Sequence, residues 1–196
     1  DLMYECIFRL HTPTFDDPIR TFCPCPNGMV ATEEYEGFVC VNGHSNSDHK
    51  SENSNFAFVT EINLTEPVEN TTLYAKSIAL LATTIGGGRP IIQRLADLRA
   101  GRRTTTARLG KSFITPTLKE AVPGDISMAL PYRVVLNIIE GIEKLDEAMP
   151  GINSDNTLLY APEIKLRGSK VNTNKHLETV TIKGLYVAGD GAGVAG

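Results

Sequence analysis

The chain has 196 residues, of which 41% are hydrophobic and 21% are charged, and these values are typical of a globular protein with one sizeable core. Its formal net charge of −4 argues against a general nucleic-acid-binding surface, so we expect no nucleic-acid partner. No stretch is apolar enough to span a bilayer, and four cysteines are too few for a disulfide scaffold. These features predict a cytoplasmic protein with no membrane partner.

The first third of the chain has the alternation of apolar and polar residues that is typical of β-strands. Residues 2–10 alternate in this way, and the runs Phe38–Val41 and Phe56–Ile62 predict two further strands. The polar residues 42–55 lie between these runs and predict a loop that is too long for a tight hairpin. Long polar loops in compact domains more often have a function than not.

The middle of the chain changes to the period of a helix. Apolar residues at helical spacing predict one helix within residues 70–86, which begins at capping residues and ends at a run of glycines. Two more helices, each opened by a proline, are predicted over 90–101 and 131–150. Residues 102–130 carry no pattern that predicts a helix or a strand. Strands followed by helices predict an α+β domain.

The last residues predict a strand that runs directly into a glycine-rich turn. Residues 191–196 match the pattern G-x-G-x-x-G, in which glycines let backbone amides approach a phosphate while an acidic residue binds ribose hydroxyls. Ordinary helix–strand packing also uses such glycines. Because no helix follows the turn, we expect the chain to be a piece of a larger nucleotide- or flavin-binding protein. The candidate cofactor contacts are Gly189, Asp190, Gly191, Ala192 and Gly193.

Two cysteines, Cys23 and Cys25, lie one residue apart in a segment rich in proline. This spacing does not suit a relaxed disulfide between them, and paired zinc ligands usually have two or more residues between them, so we predict no metal site. Two interpretations stay open, a tight turn with buried thiols and a turn that lines an active site.

The polar loop opens with Asn42-Gly43-His44 and is rich in hydrogen-bonding groups. It is either a solvated turn or part of a pocket. The sequence does not separate a general acid from a base. The candidate catalytic residues are Cys23, Cys25, Asn42 and His44.

Several blocks of the chain, taken in order, resemble the poorly characterised FAD-dependent dehydrogenases, also known as NAD(FAD)-utilising dehydrogenases. The resemblance runs over most of the chain. Many relatives carry a second glycine at the position of Asn27, a residue that can also adopt the left-handed conformation. The blocks are Arg20–Gly28, Val41–Ser45, Glu52–Asn55, Pro90–Asp97 and Gly184–Gly193.

The resemblance implies a longer protein whose N-terminal Rossmann-type FAD domain is interrupted by a substrate or cap domain. Residues 1–165 are then the α+β substrate domain, and residues 166–196 are the returning segment of the FAD domain with its terminal strand. The position of Asp190 is expected to contact the ribityl or phosphate part of FAD, and the turn after it to approach the isoalloxazine ring. The implied partners are a small-molecule substrate and the N-terminal FAD domain of the same chain.

The first hypothesis for function is therefore an FAD-dependent oxidoreductase of the dehydrogenase family, whose bound FAD passes electrons between a reductant, NAD(P)H, and an unidentified organic substrate. The cysteine turn and residues 42–46 are expected to line its pocket, and the chain alone is expected to be inactive. An alternative is a non-catalytic flavin- or nucleotide-binding regulator, suggested by the arginines between residues 89 and 111. A third is a thiol- or metal-dependent domain centred on Cys23 and Cys25.

Overall fold

A computed structural model of the chain describes residues 7–65, 70–165 and 170–194. The chain divides into two compact units, Asp1–Ile164 and Lys165–Gly196, here called unit 1 and unit 2. The assignment of residues 1–165 to a substrate domain and of 166–196 to an FAD domain stays a prediction. None of the helices in the described ranges has the length and apolar character that crossing a bilayer requires.

Unit 1 is built from short strands and four helices in its described residues. The strands are β1 (Arg9–His11), β2 (Pro18–Cys25), β3 (Met29–Tyr35), β4 (Phe38–His44), β5 (Asn55–Thr60), β6 (Ile91–Arg94), β7 (Val122–Pro123) and β8 (Leu158–Ala161). The helices are α1 (Thr71–Ile85), α2 (Leu95–Arg99), α3 (Thr106–Leu109) and α4 (Tyr132–Leu145), with a 3-10 turn at Ile126–Met128.

The strands form three small sheets. One is antiparallel with the order β1-β2-β5, and its pairing of β2 with β5 is interrupted by an irregularity between Phe22 and Cys25. The second is the antiparallel hairpin of β3 and β4. In the third, β6 lies between β7, which is parallel to it, and β8, which is antiparallel. This mixture of helices with small sheets confirms that the chain combines both kinds of element.

The predicted helices at 70–86 and 131–150 are confirmed as α1 and α4. Asn70 caps α1, since its Oδ1 accepts a hydrogen bond from the Leu73 amide at 2.9 Å. Helix α4 follows Pro131 and buries one apolar stripe. A buried core cluster joins this stripe to the third sheet and comprises Ile91, Leu98, Ile126, Val135 and Ala161.

The predicted helix over 90–101 is wrong in its first half. Residues Ile91–Arg94 form β6, and a helix begins only at Leu95. Ile91 and Ile92 are β-branched and almost fully buried, and such residues favour a strand that has neighbours on both sides. Short apolar runs of this kind do not distinguish a buried strand from a helix by periodicity.

The predicted terminal strand is also wrong. In the described residues of unit 2, Tyr186 forms an isolated bridge with Glu178, and the 3-10 turn Asp190–Ala192 follows. A strand needs a partner along its length to satisfy its backbone groups, and here the pairing stops after one position. Of the strand predicted at 2–10, residues 2–6 lie outside the described residues, and β1 begins at Arg9.

A polar network joins α4 to the first sheet. Arg133 of α4 donates from Nε and Nη2 to the two carboxylate oxygens of Asp17, at 2.6 and 2.7 Å. The Asn137 side chain, which is fully buried, donates to Asp17 at 2.8 Å and to Thr60 Oγ1 at 2.9 Å. It also accepts from Thr12 Oγ1 at 3.1 Å. These hydrogen bonds hold α4, the loop that contains Thr12 and Asp17, and β5 in fixed positions relative to one another.

These contacts set the ionisation of Asp17. The hydrogen bonds from Arg133 lower its pKa, burial opposes this effect, and Asn137 together with the Arg133 charge lowers the pKa further. Because the folded-state pKa lies below the value of about 3.9 in an unfolded chain, ionised Asp17 stabilises the fold above that pH. The contribution is lost as the pH falls through the lowered folded-state value.

We expect Arg133→Met to lower the melting temperature at neutral pH, because it removes the guanidinium that holds the Asp17 carboxylate. The difference from the wild type is expected to shrink as the pH falls below about 4, because protonation of Asp17 removes the charge that Arg133 holds. Thermal unfolding followed by circular dichroism over this range is the measurement. Arg103→Met, at an exposed arginine, controls for the loss of one positive charge. A difference that stays constant with pH contradicts the assignment.

Candidate active site

Three segments singled out in the sequence meet at one place in unit 1. A Cβ atom placed on Gly28 lies 2.6 Å from both Cys25 Cβ and the His44 carbonyl oxygen. A Cβ placed on Gly43 overlaps Asn55 Oδ1 and lies 3.2 Å from Cys25 Sγ. We call these five residues, Cys25, Gly28, Gly43, His44 and Asn55, the strand-end cluster, because four of them lie at the ends of β2, β4 and β5 and Gly28 directly precedes β3.

The cysteine turn is fixed by the loop that follows β4. Asn27 has a φ of +51°, so the left-handed conformation expected of it is confirmed. Its Nδ2 donates to the Ser51 carbonyl at 3.2 Å, and its own carbonyl accepts from the Ser51 amide at 2.9 Å. The Ser51 hydroxyl donates to the Gly28 carbonyl at 2.5 Å. Turn and loop are therefore tied together by backbone and side-chain hydrogen bonds.

The candidate catalytic residues occupy different environments. Cys25 is buried, and its thiol donates to the Cys23 carbonyl at 3.4 Å, whereas Cys23 is half-buried with a φ of +45°. Asn42 donates from Nδ2 to Glu33 Oε1 at 2.8 Å. His44 is exposed and pairs through its backbone with Met29.

The cysteines in the described ranges, Cys23, Cys25 and Cys40, are free thiols. Within the same ranges, no three histidine, cysteine, aspartate or glutamate side chains lie close enough together to hold a metal ion.

A cavity of about 590 Å³ lies inside unit 1, and of the strand-end cluster Gly43 and Asn55 line it. Of the candidate catalytic residues, Asn42 lines the cavity, whereas Cys23, Cys25 and His44 do not. The cavity volume is in the range of about 300–1,000 Å³ that is usual for small-molecule sites. One polar segment of its wall is formed by Asn42, Gly43, Asn53, Ser54 and Asn55, and further polar side chains are those of Thr60, Thr117, Thr157, Tyr160 and Glu163. Apolar side chains from β5, α1, α4 and β8 line most of the rest, among them Phe58, Ile78, Ile138, Ile142 and Leu159. Sequence analysis missed this cavity, because its apolar residues follow the pattern of ordinary core positions.

Two polar side chains of the cavity wall are already engaged. Asn53 donates from Nδ2 to the Thr115 carbonyl at 2.7 Å. Burial raises the pKa of Tyr160, against hydrogen bonds that involve Thr117 and Leu118, so its phenol is neutral at physiological pH. Asn55 differs, because its Nδ2 is buried and has no hydrogen-bond partner.

The block Pro90–Asp97 serves the fold. Gln93 is fully buried, accepts from the Ile126 amide at 2.8 Å and donates to the Arg102 carbonyl at 2.9 Å. Asp97 is also fully buried and accepts from Arg102 Nε and Thr104 Oγ1, each at 2.8 Å. Burial acts to raise the pKa of Asp97, and these hydrogen bonds more than offset it, so the pKa is lowered overall. The block thereby fixes Arg102, Thr104 and Ile126, which lie in the segment 102–130 where the sequence predicts neither a helix nor a strand.

The arginines between residues 89 and 111 are partly used inside unit 1. Arg102 Nε lies 2.8 Å from Asp97 Oδ1, and Arg108 Nε lies 3.8 Å from the same atom. Arg99 contacts Asn153 and lies 3.4 Å from Glu143. These contacts hold neighbouring segments of unit 1 together. Arg99, Arg102 and Arg108 therefore have a structural role.

In unit 2, the candidate cofactor contacts form a compact turn, in which Gly189 and Gly193 are exposed and Ala192 is buried. Gly189 and Gly193 have φ values of +85° and +67°, and the Ala192 amide donates to the Gly189 carbonyl at 3.0 Å. A Cβ on Gly189 meets nothing within 4 Å, whereas a Cβ on Gly193 lies 3.0 Å from the Lys170 ammonium. An open glycine backbone with a lysine beside it fits an anionic group such as a pyrophosphate.

The chain is similar to a described protein family and to a curated protein. The model of a family described as "FAD-dependent protein, C-terminal domain-like" matches residues 6–166. A curated protein of Clostridium beijerinckii, named only "Uncharacterized protein", is 28% identical over 186 residues. That alignment covers 91% of this chain and 34% of the relative, so the chain spans about a third of the length of that protein.

We expect Gly43→Ala to destabilise unit 1 by about 1–3 kcal/mol, because the new methyl group displaces Asn55 and crowds the Cys25 thiol. Urea unfolding measures the effect. The control is Gly110→Ala, where the added Cβ is in ordinary contact, 3.4 Å from the Thr106 carbonyl, and the expected change is within about 0.5 kcal/mol. Equal effects at both positions contradict the close packing of the strand-end cluster.

Proposed function

Since the chain belongs to the FAD-dependent proteins, of which it carries the C-terminal domain-like region, we propose that the full-length protein is an FAD-dependent oxidoreductase. Unit 1 binds the organic substrate, and unit 2 contributes contacts to FAD together with an N-terminal FAD domain of the same chain. In this proposal NAD(P)H reduces the bound FAD, and the reduced flavin passes the two electrons on to the organic substrate, as in the family of NAD(FAD)-utilising dehydrogenases.

The observation that carries the proposal is the composition of the cavity wall. It combines an apolar wall with a short polar segment, an arrangement that is usual for pockets in which a few polar groups orient a small molecule. The polar segment comes from the blocks Val41–Ser45 and Glu52–Asn55, which also carry the resemblance to the dehydrogenases. The apolar wall excludes water from the bound molecule, and the polar segment orients it.

The turn of unit 2 supports the cofactor part of the proposal. The backbone at Gly189 is open to approach, and Lys170 supplies a positive charge beside Gly193; we assign these groups to the pyrophosphate or ribityl part of FAD. FAD, when bound, supplies the transfer of electrons or hydride, and the protein supplies position and surroundings. The regulator alternative gains no support from the arginines, because Arg99, Arg102 and Arg108 make contacts within unit 1.

We expect Gly189→Val to reduce FAD retention by the full-length protein, because a β-branched residue is strained at a φ of +85°. Visible flavin absorbance after gel filtration measures the occupancy. The control is Gly87→Val, which creates strain at a φ of +60° in an equally open position of unit 1 and is expected to leave FAD bound. Equal flavin occupancy in the two variants removes Gly189 from the cofactor site.

The redox part of the proposal is tested on the wild-type full-length protein under anaerobic conditions. Addition of NADH or NADPH is expected to bleach the flavin absorbance, as reduction of FAD requires. A flavin that stays oxidised with both donors, although dithionite reduces it, contradicts NAD(P)H as the donor. A full-length protein that remains colourless after incubation with FAD contradicts the flavoprotein proposal itself.

A further inference from the structure

Two arginines of unit 1 are anchored on the same buried carboxylate. Asp97 is fully buried, and its Oδ1 lies 2.8 Å from Arg102 Nε and 3.8 Å from Arg108 Nε. Thr104 Oγ1 donates to the other carboxylate oxygen at 2.8 Å, which fixes the orientation of the carboxylate. The Nε atoms of the two guanidinium groups are thereby held close to each other.

The backbone at both arginines is fixed as well. The Arg102 amide donates to the Asp97 carbonyl at 3.0 Å, and the Arg102 carbonyl accepts from Gln93 Nε2 at 2.9 Å. Arg108 lies in α3, where its amide donates to the capping hydroxyl of Thr105 at 3.3 Å. Guanidinium groups that are held in this way lose less conformational freedom when they bind a ligand.

The outer nitrogen atoms of the pair remain available. Arg108 Nη1 donates to the Arg103 carbonyl at 2.9 Å, whereas no group in the described part of the chain accepts from Arg108 Nη2 or from either Nη of Arg102. The side chains of Arg102 and Arg108 are 53% and 37% exposed. Arg108 Nη2 is not a buried atom, in contrast to the unpaired Nε atoms of Arg94 and Arg99. These outer donors are therefore accessible to a ligand in solution.

The charge at this place is not balanced. Burial acts to raise the pKa of Asp97, and the hydrogen bonds from Thr104 and Arg102 and the charges of Arg102 and Arg94 lower it, so Arg94 also lies within the field of this carboxylate. Among the described residues, no carboxylate other than that of Asp97 forms an ion pair with Arg94, Arg102 or Arg108. Three positive charges thus share one negative charge, in a chain whose formal net charge is −4.

We propose that Arg102 and Arg108 bind a phosphate group through their outer Nη atoms, either as the free ion or as the phosphate of a monoester. Such a group carries a charge of about −1.5 to −2 near neutral pH and three acceptor oxygens, which match the excess of positive charge and the fork of N–H donors. A carboxylate has a single charge and two oxygens and matches them less well. None of the three arginines lines the cavity, so this site is distinct from the proposed substrate pocket and does not rest on the oxidoreductase function.

The test is isothermal titration calorimetry of the full-length protein with inorganic phosphate, phenyl phosphate and benzoate. The pH is about 8, where both phosphates are dianions, and the ionic strength is held constant because salt screens exposed charges. We expect phosphate to bind about tenfold more tightly than benzoate, as a phosphate ester, as the free ion or in both forms. The form that binds identifies the source of the phosphate. If neither form binds more tightly than benzoate, the proposal is overturned.

The deciding variants are Arg108→Gln and Arg9→Gln. The first removes one positive charge and the accessible Nη2 but keeps the 2.8 Å contacts of Asp97 with Arg102 and Thr104. It is expected to weaken phosphate binding about tenfold. The second removes the same charge at an exposed position of β1 and is expected to leave the affinity unchanged. Equal affinities in the two variants overturn the proposal.

Titration of the same proteins with NADP⁺ and NAD⁺, which differ in the 2′-phosphate, tests a nucleotide as the source. Weaker binding of NADP⁺ alone in Arg108→Gln supports the site and assigns it to the 2′-phosphate of the electron donor. Weaker binding of phenyl phosphate, with both nucleotides unchanged, supports the site and assigns it to another phosphorylated molecule. None of these titrations requires reduction of a flavin, so failure of the proposed oxidoreductase function is detected separately.

Discussion

The carboxamide of Asn137 joins three parts of unit 1 that are far apart in the sequence. It donates to Asp17 and Thr60 and accepts from Thr12, so one side chain fixes α4 against a loop and against β5. Four residues further along the helix, Gly141 lets the helix approach the sheet, because a Cβ there lies only 2.8 Å from Ile19 Cδ1. The cavity depends on this close contact, since Ile138 and Ile142 on the same helix form part of its wall.

Unit 1 uses its buried polar groups in two ways. Gln93, Asp97 and Asn137 are fully buried and make several hydrogen bonds each, and satisfied networks of this kind specify one arrangement of the chain. Asn55 breaks this rule at the edge of a cavity. Unsatisfied buried groups are rare in folded proteins, and the buried Nε atoms of Arg94 and Arg99 are further examples in unit 1.

Local signals in the sequence were sufficient for α1 and α4, since caps, periodicity and the following glycines or prolines agree with each other. They were insufficient for β6, whose buried apolar run has no period, and for β2, which continues through the proline-rich segment that was interpreted as a turn. In the site, proximity of the cysteine turn, the Asn42 loop and Asn55 depends on the pairing of β2 with β5 and on the packing of Gly43, which no local pattern encodes. The terminal glycines predicted a strand that the described residues of unit 2 do not form.

The hydrogen bonds of Ser51 divide the loop after β4 into an exposed part and a part that is held against the cysteine turn. Residues from Ser51 onward are tied to Asn27 and Gly28, whereas residues 45–50 are exposed. The entropy of closing a loop rises only slowly with its length, and exposed loop tips tolerate insertion. Relatives can therefore gain or lose residues between positions 45 and 50 while keeping the cavity unchanged, and length variation at this point carries no information about what the site binds.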